Sequence, residues 1–341
     1  MYSFRNDYSE GAHPKVLEAL TKTNLLQTCG YGTDPICRET ADLIRTLCKA
    51  PQADVHFLVG GTQTNQVVVA ALLAPYEAVI STHAAHINTH ETGAIEATGH
   101  KVCDVFAPDG KLTPKLVESV LAQHNGTEHM VLPRMVYISD TTEMGTVYTK
   151  AELTALRCCC DQHDLLLYLD GARLGSALTA PSNDLTLADV AALTDAFYIG
   201  GTKNGILFGE ALVLSKSHPH FRWHMKQRGA VLAKGRLLGV QFRALLQDGL
   251  FFDIARHANA QAQRLAEGME ALGIPFSTPP VSNQLFVILQ NETVARLQEL
   301  GYEFETDHEV DPAHTCIRLV TSWATPDQAV EDFLRDLKGI L

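Results

Sequence analysis

Short apolar runs alternate with amphipathic stretches along the first 215 residues. The run at 165–169 has no charged residue, which is the pattern of a strand buried on both faces, and the run at 196–199 is similar. The alternation of such runs with helical patterns predicts a doubly wound, mostly parallel sheet of α/β class. The predicted strands span residues 55–59, 78–81, 101–106, 135–139, 165–169, 196–199 and 211–215.

A change of composition near Asp248 and Gly249 predicts a second domain. We expect a large domain at residues 1–248 and a smaller α+β domain at 249–341. The small domain begins with a long helical pattern, and Pro326 marks the start of its last helix. Its predicted elements are a helix at 251–272, a strand at 284–289, a helix at 294–300, short strands near Tyr302 and Cys316, and a helix at 327–337.

Composition excludes several classes of partner. The net charge of −12, from 27 basic and 39 acidic residues, includes no basic run, so nucleic acid is not an expected partner. No apolar run approaches the roughly 20 residues of a membrane span, so we expect a cytoplasmic protein that binds no membrane. Eight cysteines lack CxxC spacing, which favours reduced thiols packed as small hydrophobic residues, and the CCC run at 158–160 is expected on a helix.

Two of the predicted strands end at residues with complementary chemistry. Asp170 follows one strand and Lys203 follows the next, 203 − 170 = 33 residues later. If the strands are neighbours, both side chains lie at the sheet edge where open α/β sheets bind ligands. A lysine forms a Schiff base with an aldehyde, and a carboxylate keeps a basic ring nitrogen protonated. The alternative is a strand-end aspartate paired with an arginine, and a solvated lysine.

A glycine-rich turn follows the first predicted strand. Residues 60–65 read GGTQTN and lead into the helical stretch QVVVAALLA. Glycines allow close approach of an anion, and a helix start offers free N–H groups and the positive end of the helix dipole. The pattern therefore predicts a phosphate site. The alternative is a tight strand-to-helix turn with Thr62 or Thr64 as the N-cap.

Several motifs together carry a family resemblance. DGAR stands at 170–173, and the pattern H-x-x-x-x-E-x-G-A is matched by His86, Glu91, Gly93 and Ala94. The chain resembles the aspartate-aminotransferase-like pyridoxal phosphate enzymes of fold type I, and more narrowly the low-specificity L-threonine aldolase and beta-eliminating lyase family. The resemblance covers nearly the whole chain and is strongest at 60–65, 86–94, 170–173, 200–203 and 317–321.

The resemblance implies pyridoxal 5′-phosphate as the cofactor and a role for each matching residue. Lys203 would bind the aldehyde of the cofactor, Asp170 its ring nitrogen, and His86 would stack on the ring. Arg318, in an RLVT setting, would bind the substrate carboxylate with its planar fork. The implied cofactor contacts are Gly61, Thr62, Gln63, His86, Asp170, Arg173, Thr202, Lys203 and Lys234. The implied substrate contacts are Asn6, Tyr31, Glu91, Thr142, Arg173 and Arg318.

The chain departs from the family pattern in three places. Where the family usually has Glu-Asn-Thr-His, this sequence has Asp140 at the asparagine position and Thr142 at the histidine position. We therefore expect His86 to remove the substrate hydroxyl proton, through a water held by Thr142 or Glu91. Near the N-terminus, Asn6 replaces the usual serine. The basic stretch at 220–236 keeps the family pattern poorly, so a solvated basic face is the alternative to a phosphate contact by Lys234 or Arg236.

The expected activity is cleavage of a β-hydroxy-α-amino acid to glycine and an aldehyde. Beta-elimination and racemisation are alternatives because they share the same chemistry at the α-carbon, and a non-catalytic scaffold or ligand sensor is the alternative outside enzymes. The histidines at 83–100 include no HExxH, so no metal is expected. Tyr31-Gly32 and Asp34-Pro35 match a family stretch that reaches a neighbouring subunit's active site, which implies a homodimer or homotetramer; the residues alone equally predict a plain turn.

Overall fold

Seven strands form a central sheet in the computed structural model, which describes residues 2–124 and 126–341. The strands are β1 (Asp54–Leu58), β2 (Glu77–Thr82), β3 (Val102–Val105), β4 (Leu132–Ser139), β5 (Leu166–Asp170), β6 (Ala196–Gly200) and β7 (Glu210–Leu214). Their order is β1-β7-β6-β5-β4-β2-β3. All neighbouring pairs are parallel except those of β7 with β1 and with β6. The predicted α/β class with a mostly parallel sheet is confirmed.

The two strands that carry the expected chemistry are neighbours. Tyr168 of β5 pairs with Ala196 of β6 in parallel register. Asp170 is the last residue of β5, and Lys203 follows the end of β6 by three residues. The two side chains therefore start from the same edge of the sheet, as the sequence predicted.

Thirteen α-helices are present in the described part of the chain. They are α1 (Pro14–Thr23), α2 (Pro35–Leu47), α3 (Gly61–Leu72), α4 (His86–Thr89), α5 (Pro114–Gln123), α6 (Lys150–Gln162), α7 (Leu174–Leu178), α8 (Leu187–Leu193), α9 (Phe221–Gln227), α10 (Arg236–Leu246), α11 (Leu250–Ala271), α12 (Asn291–Glu299) and α13 (Asp327–Ile340). The cysteine run lies on α6, as expected.

Helices α2 and α10 pack closely against each other. Asp34, expected in a turn, caps α2 by accepting a hydrogen bond from Cys37 N at 3.0 Å. A Cβ on Gly239 of α10 would lie 2.7 Å from Cys37 Sγ, so only glycine fits there. The Thr40 hydroxyl donates to the Gly239 carbonyl at 3.1 Å. This contact holds α10 against α2.

The two faces of the central sheet have different side chains. Leu167 and Leu169 of β5 pack in one core, whereas Tyr168 packs in the core on the opposite face. Because side chains alternate along a strand, Asp170 starts on the same face as Tyr168. Tyr137 of β4 and Tyr198 of β6 pack in that same core, so three buried tyrosines lie beneath the end of β5.

A second, antiparallel sheet lies in the C-terminal part of the chain. Its strands are β8 (Gln284–Gln290), β9 (Glu305–Asp311) and β10 (His314–Val320), in the order β8-β10-β9. Phe4 from the N-terminal segment is fully buried in the core of this sheet, 5.3 Å from the Phe333 ring. The early α11 residue Phe251 packs in the large core and the later Leu265 in the small one. The division at 248 and 249 stays a prediction.

The remaining expectations concern membranes, thiols and metals. None of the helices in residues 2–124 and 126–341 combines the length and apolar character needed to cross a bilayer. All eight cysteines are free thiols. Among these residues, two groups of side chains could each offer three ligand atoms to a metal ion, and within each group those atoms lie within 4.8 Å of one another. Neither group includes a histidine from 83–100. The two groups are Glu118, Cys159 and His163, and Asp307, His308 and Cys316.

Candidate active site

Asp170 is the centre of a buried hydrogen-bond network. Tyr137 Oη donates to Oδ2 at 2.6 Å, and Asn65 Nδ2 donates to the same oxygen at 3.1 Å. The backbone N–H of Ala172 donates to Oδ1 at 3.0 Å, and Tyr198 Oη also donates to Oδ1. Four donors offset much of the cost of burying this carboxylate and fix its orientation.

The tyrosines around Asp170 were not predicted as site residues. Burial, followed by the charge of Asp170, raises the pKa of Tyr137, Tyr168 and Tyr198 well above the usual value, so all three remain protonated donors. Tyr168 Oη donates to Asn65 Oδ1 at 2.7 Å and so orients the amide that contacts Asp170. Each tyrosine stands two residues before the last residue of its strand, which is a signal that the sequence contains.

A hydrogen-bond chain joins His86 to this network. His86 Nδ1 lies 2.8 Å from Glu91 Oε1, and Asn65 Nδ2 donates to the same oxygen at 2.8 Å. Because Asn65 also contacts Asp170, the chain runs from the imidazole to the strand-end carboxylate. Burial favours the neutral imidazole, but the hydrogen bond with Glu91 and the charge of Asp170 together raise the pKa of His86.

Glycines allow the ends of β5 and β6 to approach closely. A Cβ on Gly171 would lie 1.9 Å from the carbonyl oxygen of Tyr198. A Cβ on Gly200 would lie 2.4 Å from the carbonyl oxygen of Ala172. These two positions explain why glycine follows Asp170 and why β6 ends in glycine before Lys203.

Lys203 lies in a loop held by a buried carboxylate. The Thr202 hydroxyl donates to Glu210 Oε1 at 2.9 Å, and Gly201 N donates to Oε2 at 3.0 Å. Burial raises the pKa of Glu210, at the start of β7, to about 8. Burial and the charge of Arg173 lower the pKa of Lys203, which favours the neutral amine. A neutral amine is the form that attacks an aldehyde.

Arg173 is paired with an aspartate from the N-terminal segment. Its Nε and Nη2 lie 2.7 and 3.1 Å from the two carboxylate oxygens of Asp7. Asn283 Nδ2 also donates to Asp7, at 2.9 Å. Burial opposes the ionisation of Asp7, but the charges of Arg173 and Lys203 hold its pKa below the usual value. Asp7 thereby orients Arg173 and leaves both N–H groups of Nη1, and the second N–H of Nη2, for another partner.

Arg318 of β10 forms no ion pair within the described part of the chain. Its buried Nε has no hydrogen-bond partner among residues 2–124 and 126–341. Burial and the neighbouring charge of Arg173 lower its pKa. An anionic ligand would stabilise a guanidinium in this setting, because the ion pair offsets the free-energy cost of burying the charge.

The first turn of α3 is open. Gly60 is its N-cap, and no side chain caps it. Thr64 Oγ1 donates back to the Gly60 carbonyl at 2.9 Å, and Thr62 is exposed. Because Gly60 is the N-cap, neither Thr62 nor Thr64 has the capping role that the sequence allowed as an alternative. Gln63 is tied to Val59 N and to the Arg228 carbonyl, at 3.3 and 3.0 Å. The first N–H groups of α3, beginning at Gly61, therefore have no intrahelical acceptor and are available to an anion.

Tyr31 and Lys234 are both exposed and lie close to each other. Tyr31 N donates to the Ala233 carbonyl at 3.1 Å, which places Lys234 beside the tyrosine. Arg222 Nη2 donates to the Tyr31 carbonyl at 3.0 Å, and the Lys226 ammonium lies 5.1 Å from the tyrosine ring centroid. Within one described chain, neither Tyr31 nor Lys234 hydrogen-bonds to the network at the sheet edge.

Asn6 makes local contacts in the N-terminal segment. Its Oδ1 accepts hydrogen bonds from Tyr8 N at 2.9 Å and from Ser9 Oγ at 3.0 Å. Its neighbour in the chain is Asp7, the partner of Arg173. The Tyr8 ring lies 5.9 Å from the Lys203 ammonium. The N-terminal segment thus reaches the sheet edge through Asp7 and Tyr8, whereas the side chain of Asn6 stabilises its own turn.

The expectation for Thr142 needs correction. Thr142 is buried, and its Oγ1 lies 2.7 Å from Thr146 Oγ1 and accepts hydrogen bonds from Met144 N and Thr146 N, both at 3.2 Å. The hydroxyl therefore closes its own turn and is not available to a substrate. The next residue, Glu143, faces the site instead: its Oε1 accepts from His86 N at 3.2 Å and from Ser139 Oγ at 3.0 Å.

Comparisons with known proteins agree with this geometry. A family model described as beta-eliminating lyase matches residues 4–308. The low specificity L-threonine aldolase of Pseudomonas sp. (strain NCIMB 10558) is 31% identical over 99% of this chain and 97% of its own. A solved Leishmania major threonine aldolase has a TM-score of 0.97 and 51% identity over 99% of both chains. A Thermus thermophilus aspartate aminotransferase, at 18% identity and a TM-score of 0.73 over 99% of this chain and 91% of its own, shows the shared fold.

Proposed function

Because the chain belongs to the beta-eliminating lyase family, we propose that it cleaves β-hydroxy-α-amino acids such as threonine to glycine and an aldehyde. The expected family and the fold type I architecture are confirmed by the family match and by the threonine aldolase and aminotransferase structures. The observation that carries the proposal is the placement of Lys203 and Asp170 at the ends of neighbouring parallel strands, with the unpaired Arg318 nearby.

Pyridoxal 5′-phosphate fits the residues at this sheet edge. Lys203 would bind its aldehyde, Asp170 would face its ring nitrogen, and the open first turn of α3 would hold its phosphate. His86 would pack on the ring, with Glu91 fixing the orientation of the imidazole. When bound, this group supplies an electron sink for the negative charge that develops on the substrate α-carbon. The Thr202 hydroxyl donates to Glu210 and accepts from Gly209 N at 2.9 Å, so we assign Thr202 to positioning the lysine loop.

The amino-acid substrate would be held by its carboxylate. Arg318 is the first candidate because its guanidinium forms no ion pair with the described residues, and Arg173 contributes Nη1. A planar guanidinium can bind both carboxylate oxygens at once and so fixes the orientation of the bonds at the α-carbon. That orientation decides which bond breaks, because the breaking bond must overlap the electron sink.

The experiment begins with the purified protein and pyridoxal phosphate. We expect a visible absorption band that disappears on borohydride reduction, with the pyridoxyl label on Lys203 in peptide mapping. Lys203→Ala should remove the label, and Lys150→Ala is the matched control because Lys150 is exposed and pairs with Asp189 on the surface. Recovery of the label on another lysine would contradict the assignment.

The products distinguish the proposed reaction from its alternatives. Glycine and an aldehyde are expected from threonine. Beta-elimination, favoured by the name of the matching family model, would give ammonia and a keto acid from the same incubation. Racemisation would give neither, and a non-catalytic protein would leave the substrate unchanged.

We also propose that active sites are shared between subunits. The support is that Tyr31 and Lys234 are exposed neighbours with no hydrogen bond to Lys203 among the described residues, and that Tyr31 matches a family stretch that reaches a neighbouring subunit. Mixing inactive Tyr31→Ala with inactive Lys203→Ala should restore cleavage, because each hybrid dimer has one site with both groups intact. The mass in solution would decide between dimer and tetramer. The cytoplasmic location stays a prediction.

A further inference from the structure

Glu143 lies in a turn that is anchored beside Asp170. The turn leaves the end of β4, where Ser139 is in register with Asp170, and Asp140 N donates to the Asp170 carbonyl at 3.0 Å. Ser282 Oγ donates to the Gly145 carbonyl at 2.8 Å. The turn is thus fixed to the central sheet at one end and to the segment before β8 at the other, so Glu143 has little freedom to move away.

The carboxylate of Glu143 has one oxygen committed and one available. Its Oε1 accepts from the backbone N–H of His86 and from Ser139 Oγ. No other described residue donates a hydrogen bond to its Oε2, which is not among the fully buried unpartnered atoms; the backbone N–H of Glu143 itself also contributes a hydrogen bond to the carboxylate. The charge of Glu143 also acts on Arg173, after the larger effects of burial and Asp7. The available oxygen therefore lies within electrostatic reach of the proposed carboxylate site.

We propose that Glu143 is a catalytic residue of the aldol cleavage and that its Oε2 accepts the β-hydroxyl proton of the amino acid. This inference rests on the proposed function and adds to it the group that takes the proton. The substrate class follows from the same geometry: a free α-carboxylate at Arg318 and Arg173, and a hydroxyl on the β-carbon facing Glu143.

The step balances with groups that are present. The O–H bond breaks and its proton goes to Glu143, while the electron pair of that bond forms the carbonyl of the aldehyde. The Cα–Cβ bond breaks and its electron pair remains with the α-carbon, which then takes up a proton and becomes the methylene of glycine. Glu143 returns to the carboxylate by releasing its proton to solvent. One proton is removed and one is added, so no further reactant is needed.

Burial strengthens Glu143 as a base. Burial, followed by the charge of Asp170, raises the pKa of Glu143, although His86 opposes the shift. A carboxylate with a raised pKa is a stronger base than a surface glutamate, and general-base catalysis works best when the pKa approaches the working pH. His86 is engaged in a different interaction. Its Nδ1 hydrogen-bonds with Glu91, and Asn65 links Glu91 to Asp170. This network suits the imidazole to packing on the cofactor ring.

The test compares two reactions of the holoenzyme. Aldol cleavage of threonine needs removal of the β-hydroxyl proton, whereas exchange of the glycine α-hydrogen with D₂O does not. In Glu143→Gln we expect kcat for cleavage to fall about 10²- to 10⁴-fold. Glycine exchange and cofactor affinity should stay near the wild-type values. The amide keeps an acceptor for His86 N and Ser139 Oγ, so the fold is preserved.

Further variants and the pH profile separate catalysis from structure. Wild-type kcat/KM should fall as the pH drops through the raised pKa of Glu143, and Glu143→Gln should lose this dependence. Glu143→Asp keeps a carboxylate and should recover part of the cleavage rate. Glu309→Gln, on the exposed strand β9, is the matched control and should behave as wild type.

Three outcomes would overturn the inference. Cleavage by Glu143→Gln near the wild-type rate would exclude the base role. A parallel loss of cleavage and glycine exchange would show that Glu143 only supports the site. Failure of the wild-type protein to cleave any β-hydroxy amino acid would overturn the proposed function together with this inference, whereas the first two outcomes leave the proposed function standing.

Discussion

The change Asp170→Asn removes the charge of this side chain at the sheet edge and keeps its shape. The carboxylate receives two donors on each oxygen: Tyr198 and Ala172 N on Oδ1, and Tyr137 and Asn65 on Oδ2. The amide of asparagine replaces one acceptor by a donor. Whichever way the amide points, its NH₂ group faces two donors, of which only a tyrosine hydroxyl can rotate to accept.

The expected loss is larger for the rate than for the fold. A hydrogen bond to a charged group contributes about 1.5–3 kcal/mol, but removing a buried charge also removes its desolvation cost, so the two effects on stability partly cancel. No such compensation would exist for the bound cofactor ring, because its protonated nitrogen would lose the anion that we propose for it. Removal of one preorganised electrostatic partner typically costs about 3–4 kcal/mol in the transition state, which corresponds to roughly 10²- to 10³-fold in kcat.

The assay measures cofactor content by visible absorbance and cleavage by glycine release. We expect Asp170→Asn to retain the cofactor at saturating concentration while kcat falls by the amount given above. Tyr168→Phe is a matched control within the network, because its hydroxyl hydrogen-bonds only to Asn65 among the described residues and its loss should cost less than about tenfold. Cofactor-saturated Asp170→Asn with near-wild-type turnover would refute the assignment of the electron-sink partner.

Three further changes test the arginines and His86. Arg318→Lys should raise KM for threonine about 10- to 100-fold with a smaller change in kcat, since it loses the planar fork, and an unchanged KM would exclude Arg318 from the carboxylate site. Asp7→Asn leaves Arg173 buried without its anion and should lower the free energy of unfolding by about 3 kcal/mol in denaturant titrations near neutral pH. The pKa of Asp7 in the folded protein lies below its ordinary value of 3.8. The stabilisation is therefore complete above pH 3.8 and is lost as the pH falls through the lowered pKa. A difference in unfolding free energy between wild type and variant that stays constant down to low pH would contradict this prediction. His86→Phe should keep aldol cleavage within about tenfold if the imidazole only packs on the ring, and a loss as large as that of Glu143→Gln would return the base role to His86.

The fold was largely predictable because strands buried on both faces leave a clear apolar pattern. All seven strands of the central sheet were located within a few residues. Helix α10 was not predicted, and its glycines explain why. Gly239 lowers the intrinsic helix propensity of the segment, yet the position requires glycine because α2 leaves no space for a Cβ. Local sequence rules cannot detect a residue that is chosen for a contact with a distant helix.

The site was predictable where a strand end fixes the position and unpredictable where a loop does. Asp170 and Lys203 follow directly from the ends of β5 and β6, so the direction of each strand determines where they start. Thr142 and Glu143 are adjacent residues in a tight turn. Which of them faces the site depends on how the Thr142 hydroxyl bonds to Thr146, and a family pattern without a matching turn length does not contain that information.

The two proposed binding tasks depend on different parts of the molecule. Asp170, Lys203 and the first turn of α3 all belong to the central sheet and its direct connections, so cofactor affinity should depend little on the small sheet. The carboxylate site depends on both sheets, because Arg318 lies on β10 and the Asp7 that orients Arg173 is held by Asn283 next to β8. A shift between the two sheets would therefore change the spacing of the two guanidinium groups. We expect such a shift to appear in KM for the amino acid before it appears in cofactor binding.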